Sequence, residues 1–330
     1  MDPPPVGTCL DAVPVGVSAP ELASRLREAV VDLDTVNQPL TLLRLGGLAA
    51  MLFAAAWLSW LEAELLPMIA AALLAGVAYA LLLIGTHEAV HGTLLGKPRL
   101  EFALSCLISW PMAWPFATYA SLHLLHHRWN GRNPRDPERT QPLDAERRAA
   151  GPLRRWQQRH PLVARALGHG GLGLIASTYV HGVRLRGEDH RLAGRLTLDV
   201  TGSLLVQTAL LALALSQGVL GRYLLFWLVM ERVIGAIVQS RGVIEHHGLW
   251  RNREHHLLTQ LYATRTVGAA AWLNLLMGGL PHHAAHHAFP AIPFHQLPLA
   301  SQRIEAVLNE AGQPALPRAE NYRKAVAGLL

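Results

Sequence analysis

The sequence predicts an all-α integral membrane protein with about four spanning helices, one re-entrant segment and a cytoplasmic helical cap rich in histidine. Three observations predict it. Apolar residues are bunched into long, nearly charge-free runs, such as Leu42 to Leu61, Leu65 to Thr86 and Leu204 to Gly221. About 20 apolar residues suffice for a helix to cross a bilayer. Lys and Arg are distributed asymmetrically, with 16 between His87 and Arg195 and none in the linker Glu62 to Pro67. Such a bias places residues 87–195 on the cytoplasmic side, in a bacterial inner membrane. The 18 histidines recur in groups at helical spacing.

The elements follow in order. Residues 1–20 are rich in Pro, Gly and Val, the composition of a flexible tail. Pro20 to Asp34 reads as a short helix with Leu22, Leu26, Ala29, Val30 and Leu33 on one face, suited to the membrane surface. Residues 1–41 thus form a tail and interfacial helix. The first apolar run starts near residue 42, too late for a signal peptide. Two spans joined by the short acidic linker deliver His87 to the cytoplasmic side. Leu100 to Ser121 is long enough to span, but Pro111 and Pro115 interrupt it, and each removes a helical hydrogen bond. It reads as a broken helix that dips in and returns. Arg128 to Arg165 is polar and cytoplasmic, and the Gly-rich Gly168 to Gly182 is interfacial. Leu196 to Ser216 and Val219 to Gln239 form a second hairpin of spans, and residues 300–330 a helical tail.

Cys9 and Cys106 form no framework and no CxxC motif. The net charge of +6 is explained by the membrane bias and does not call for nucleic acid. Asp199 and Arg232, both within the second hairpin, are candidates to pair, since charge inside a span faces protein or water. Trp110, Trp114 and Trp129 suit either an acyl cavity or interfacial anchoring.

Histidine carries the chemistry. His87-Glu-Ala-Val-His91 puts two imidazoles on one helical face. His123-Leu-Leu-His126-His127 and His283-Ala-Ala-His286-His287 repeat the arrangement at spacings of three and four. Imidazole suits iron, zinc and copper, and three matched groups beside apolar segments point to a metal site. His246 and His247 follow Glu245. The isolated His160, His169, His181, His190 and His295, and the pair His255 and His256, read as structural or solvated. Haem would want single histidines at mid-span, and a metal transporter polar residues along several spans. Either would make the chain a non-catalytic metal or haem protein, and neither pattern is present.

The series HEAVH, HLLHH and HHAAHHAFPAIP resembles the membrane fatty acid desaturase superfamily, whose pattern is HxxxH, HxxHH and a late HxxHH. Asn274 to Pro298 resembles its third box and tail, and Arg241 to Gly248 (RGVIEHHG) the histidine segment before it. The resemblance covers residues 42–299. It implies a di-iron centre under a mushroom-shaped body of four spans, with O2 as co-substrate. The implied ligands are His87, His91, His123, His126, His127, His246, His283, His286 and His287. His282 also stands four residues before His286, and His247 adjoins His246, so those two choices stay open. Ala284-Ala285 departs from the Leu-Glu pair common in relatives and removes a carboxylate that could orient a ligand. Asn130, Asp136 and Glu245 are candidates for that role, although Asn130 and Asp136 read equally well as a polar turn. The implied activity is oxidation of a lipid, foremost desaturation of a fatty acyl chain. Hydroxylation, ketolation and decarboxylation to a terminal alkene are the alternatives. No flavin, cytochrome or ferredoxin motif is present, so electrons must come from a separate donor such as ferredoxin with its reductase. The Arg-rich stretch could dock an acidic partner or hold anionic headgroups.

Overall fold

The computed structural model describes residues 17–329, which leaves Cys9 and most of the expected flexible tail outside the described residues. Helix α1 (Ala19–Glu28) begins at Ser18, whose hydroxyl accepts from the Glu21 amide. Helices α2 (Gln38–Leu61) and α3 (Leu65–Val90) form the first apolar hairpin, and α4 (Pro98–Ser109) and α5 (Phe116–Trp129) follow. Short helices α6 (Asp144–Arg148) and α7 (Pro152–Arg159) precede a π-helical turn at Val163–His169 and α8 (Gly170–Arg184). Helices α9 (Leu192–Ser216) and α10 (Leu220–His246) make the second hairpin. The remainder folds as α11 (His256–Tyr262), α12 (Ala271–Leu276), α13 (His283–Ala288), α14 (Leu297–Glu310) and α15 (Tyr322–Ala327). The described strands are only a two-residue parallel pair, Thr266–Val267 against Arg318–Ala319.

Four helices, α2, α3, α9 and α10, are long and apolar enough to cross a membrane. Helix α3 is mostly enclosed by its neighbours, whereas α2 and α9 leave Leu43, Phe53, Leu204 and Leu205 exposed. That apolar surface needs lipid to cover it. Glycines bring the inner helices close. A Cβ on Gly235 of α10 would lie 1.9 Å from the Gly171 amide nitrogen of α8, and one on Gly76 of α3 would lie 2.8 Å from the Val233 side chain. At the end remote from the histidines, Arg222 of α10 donates to the carbonyls of Ser59 and Glu62 and so locks the two hairpins together.

The interrupted segment does turn back. Glu101, fully buried, accepts from the amides of Leu94 (3.3 Å), Leu95 (2.8 Å) and Lys97 (2.8 Å) and fixes the entry to α4. The Tyr79 hydroxyl, eight residues before His87 on α3, donates to the Ile108 carbonyl. Eight residues of helix are roughly 12 Å, so α4 descends at least that far alongside α3. The chain reverses at Trp110–Met112 and at Ala113, whose φ of 54° is left-handed, and α5 climbs back to His123. Asp199 holds this reversal, accepting from Trp110 Nε1 (3.1 Å) and from the amides of Ala117 (3.2 Å) and Thr118 (2.6 Å). The expected pairing of Asp199 with Arg232 is therefore corrected. Asp199 is taken up by amides that a helix start leaves unpaired, and Arg232 bonds its neighbour Glu231. A second expectation changes with it. The apolar face of α1 is covered by Ile304 and Leu308 of α14 and by Leu257 and Leu261 of α11, and not by lipid.

Candidate metal centre

Box one ends α3, box two ends α5, His246 ends α10 and box three forms α13, so four helix ends converge at one pole. In α3, α5 and α13, spacings of three and four stack imidazoles on a single face. The positions fall into two adjoining groups. Ligating atoms of His87, His91, His123, His127 and His286 lie within 4.8 Å of one another, as do those of His126, His246 and His287. His283 joins the second group, with its Nε2 2.9 Å from His246 Nε2 and 3.4 Å from the Glu245 carboxylate. In the first group His127 Nε2 and His123 Nε2 are 3.0 Å apart. Ligands about 2.1 Å from a shared ion and at right angles are about 3 Å apart, so these separations suit a coordination shell.

Tautomers follow from the outward partners. Carboxylates only accept, so the Nδ1 of His123 donates to Glu138 (2.7 Å) and that of His126 to Asp136 (2.8 Å). His287 Nδ1 donates to Gln260 Oε1 (3.0 Å), and the amide is oriented because its Nε2 donates to the Asn130 carbonyl (3.2 Å). Each of these rings therefore turns an Nε2 lone pair inward, the arrangement that steadies metal-bound imidazole.

The unpaired atoms test the fit. His87, His91, His126, His127, His246, His283, His286 and His287 each keep at least one buried ring nitrogen without a hydrogen-bond partner among the described residues. A single buried orphan costs about 1–3 kcal/mol, so eight in one place are hard to sustain unless they serve another bond. Burial, reinforced by neighbouring imidazoles, holds His127, His283, His286 and His287 well below the ordinary histidine pKa, in the neutral form that binds metal. His126 is the exception. Burial opposes its protonation, but the Asp136 and Glu138 carboxylates prevail and raise it to about 9.

Among the open choices, His283 and His246 enter the cluster. His282 turns away to Ser301 (2.9 Å), and His247 Nδ1 lies 3.3 Å from the Thr140 carbonyl. Asp136 contacts a cluster histidine directly, whereas Asn130 acts one step removed, through Gln260. Glu138 and Gln260 are the partners that sequence reasoning missed. Glu138 had a signal, because it stands two residues after Asp136 in the same turn. Gln260 had none, since its role depends on where α11 docks. Arg44 of α2 pairs with Glu88 inside box one, and its guanidinium lies 4.1 Å from the Phe294 ring centre. That pair ties the first span to box one and to the loop after box three. His160, His190 and His295 stay outside the cluster.

Beside the cluster lies a cavity of about 670 Å³, walled by α3, α5, α8, α10 and the loop 134–140. His87, His123, His246 and His283 line one part of it. Leu83, Met112, Trp114, Ile175 and Ile234 line an apolar part, so Trp114 serves the cavity while Trp110 bonds Asp199. Arg135, Arg139, Arg165 and Arg184 line a polar part. Volume and lining suit a small amphiphile.

No curated protein matches the chain. The family model described as fatty acid desaturase matches residues 63–318, a stretch that contains every histidine of the cluster, the re-entrant hairpin and the second pair of spans. On that match, the chain belongs to the fatty acid desaturase family.

Proposed function

We propose that the chain inserts a double bond into a fatty acyl substrate, using O2 and two electrons supplied by a separate ferredoxin-type donor. The observation that carries this reading is the opening of two adjoining histidine groups onto a cavity with an apolar part. The ligands for one iron are His87, His91, His123, His127 and His286. Those for the other are His126, His246, His283 and His287, with the Glu245 carboxylate alongside. Bound iron supplies the oxidising power toward unactivated C–H bonds that no side chain possesses. The protein's own residues do the rest. Asp136, Glu138 and Gln260 hold imidazoles in the ligating tautomer, and the α8 and α10 wall keeps the acyl chain beside the cluster and away from water. The Lys and Arg bias supports a cytoplasmic position for the histidine pole, in a bacterial inner membrane.

The test is lipid profiling after incubation of purified, iron-loaded protein in nanodiscs with ferredoxin, its reductase and a nicotinamide donor. A new double bond that requires O2 and is lost in His127→Ala is the expected result. A new hydroxyl or keto group, or an alkene one carbon shorter, keeps the family and overturns double-bond insertion. No oxygen-dependent product with any donor overturns the enzymatic reading.

A further inference from the structure

Arg241 of α10 lines the cavity at the level of the cluster histidines, one turn before Glu245 and His246. Arg241 is only 9% exposed, and its Nε and Nη1 have no hydrogen-bond partner among the described residues. Burying a guanidinium without bonds is costly, yet its acidic neighbours only partly compensate. Glu245 lies 3.5 Å from Nε, and Glu138 faces it from the loop without reaching it. Glu245 itself has no hydrogen bond to either carboxylate oxygen. Of the other arginines along the cavity, Arg184 is exposed to solvent and the remaining three have partners. Arg135 pairs with Glu188 and Arg139 with Glu146, and Arg165, half-buried, donates to the Arg139 carbonyl (3.0 Å). From Arg241 the wall continues down α10 through Val238 and Ile234 to Glu231. Those ten residues of helix are roughly 15 Å, all on the membrane side of the cluster.

We propose that Arg241 anchors the carboxylate of a free fatty acid, with the tail running down α10 toward Glu231. This rests on the lipid-oxidising reading above and adds the form and placement of the substrate. A guanidinium binds a carboxylate through charge-assisted hydrogen bonds, and such a bond would satisfy the unpartnered Nη1 while Glu245 stays beside Nε. With the carboxylate at the level of the histidines, the carbons facing the cluster are the first few of the chain. Desaturation there removes one hydrogen from each of two adjacent carbons. With O2, two donor electrons and two protons, it yields the double bond and two waters.

The experiment measures equilibrium binding of labelled dodecanoic acid, its methyl ester and dodecanol to the iron-loaded protein in nanodiscs, without reductant. The wild type is expected to bind the acid at least about tenfold more tightly than the ester, equivalent to about 1.4 kcal/mol. Arg241→Gln should erase that preference and leave ester binding unchanged, Arg241→Lys should keep part of it, and Arg165→Gln should keep all of it. Equal binding of acid and ester by the wild type overturns the anchor, and so does loss of the preference in Arg165→Gln in place of Arg241→Gln. If the glutamine variant does not fold, the wild-type ratio and the Arg165→Gln result still decide. The two readings fail separately. Oxidation of esters as readily as acids sinks the anchor alone, whereas tight acid binding with no oxygen-dependent product sinks the enzymatic reading alone.

Discussion

Asp136 shows how much a single carboxylate contributes to the cluster, since it fixes the His126 ring from 2.8 Å while wholly buried. Asp136→Asn is expected to weaken metal binding by roughly 10–100-fold, measured by chelator competition, whereas His160→Ala binds normally. Unchanged affinity in Asp136→Asn would mean that the contact orients nothing. The same residues set a pH dependence for the metal-stripped protein. His127, His283, His286 and His287 stay neutral in the fold because of burial and of one another, but they take up protons near pH 6.5 once unfolded. The unfolded state then binds more protons below that pH, so stability falls on acidification. His126 acts oppositely, adding stability below pH 6.5 that is lost as pH rises through about 9. Four against one decides the sign. The stripped protein should melt at a lower temperature at pH 5.5 than at pH 7.5, and the reverse order refutes the assignment. At this scale the histidines were legible because helical spacing alone groups them. Glu138 and Gln260 were not, because their contacts arise from a loop and a short helix whose docking no local pattern specifies.

Among the elements, α8 and α10 form the cavity wall and meet backbone to backbone at Gly171 and Gly235. No side chain there can move aside for an added methyl. Gly235→Ala is therefore expected to destabilise the protein by about 1–3 kcal/mol and to loosen substrate binding. Gly221→Ala, with open space around it on the same helix, should be neutral or slightly stabilising. Comparing melting temperatures of the two variants in detergent checks this, and equal values would discount the contact. The spans were readable because a charge-free run of 20 residues has few other uses, and the re-entrant break because two prolines interrupt one helix. Two details escaped. The apolar stripe of α1 reads the same whether lipid or α14 covers it, and Asp199 reads as an ion-pair partner although backbone amides claim it. Such pairings depend on tertiary neighbours, which periodicity does not encode.

For the whole molecule, every histidine of the cluster lies at one pole, and the linkers Glu62–Glu64 and Gln217–Val219 lie at the other. In whole cells, with the native cysteines replaced, a cysteine at exposed Ala63 or Gln217 should react with an impermeant maleimide, and one at exposed Arg155 or Glu254 should not. Labelling at Arg155 from outside would invert the orientation. The ion pair of Arg44 with Glu88, packed against Phe294, gives this arrangement a place in time. It joins the first span to a segment made long after it, and His87 precedes His287 by 200 residues. A ribosome adding 5–20 residues per second needs roughly 10–40 s to cover that interval. Throughout it, if these histidines are the metal ligands proposed above, box one stands at the end of its span without its later partners, a half-built nitrogen site open to whichever divalent ion binds imidazole most tightly, copper above all. Fidelity of loading thus depends on how scarce competing metals are kept during those seconds, as much as on the finished geometry.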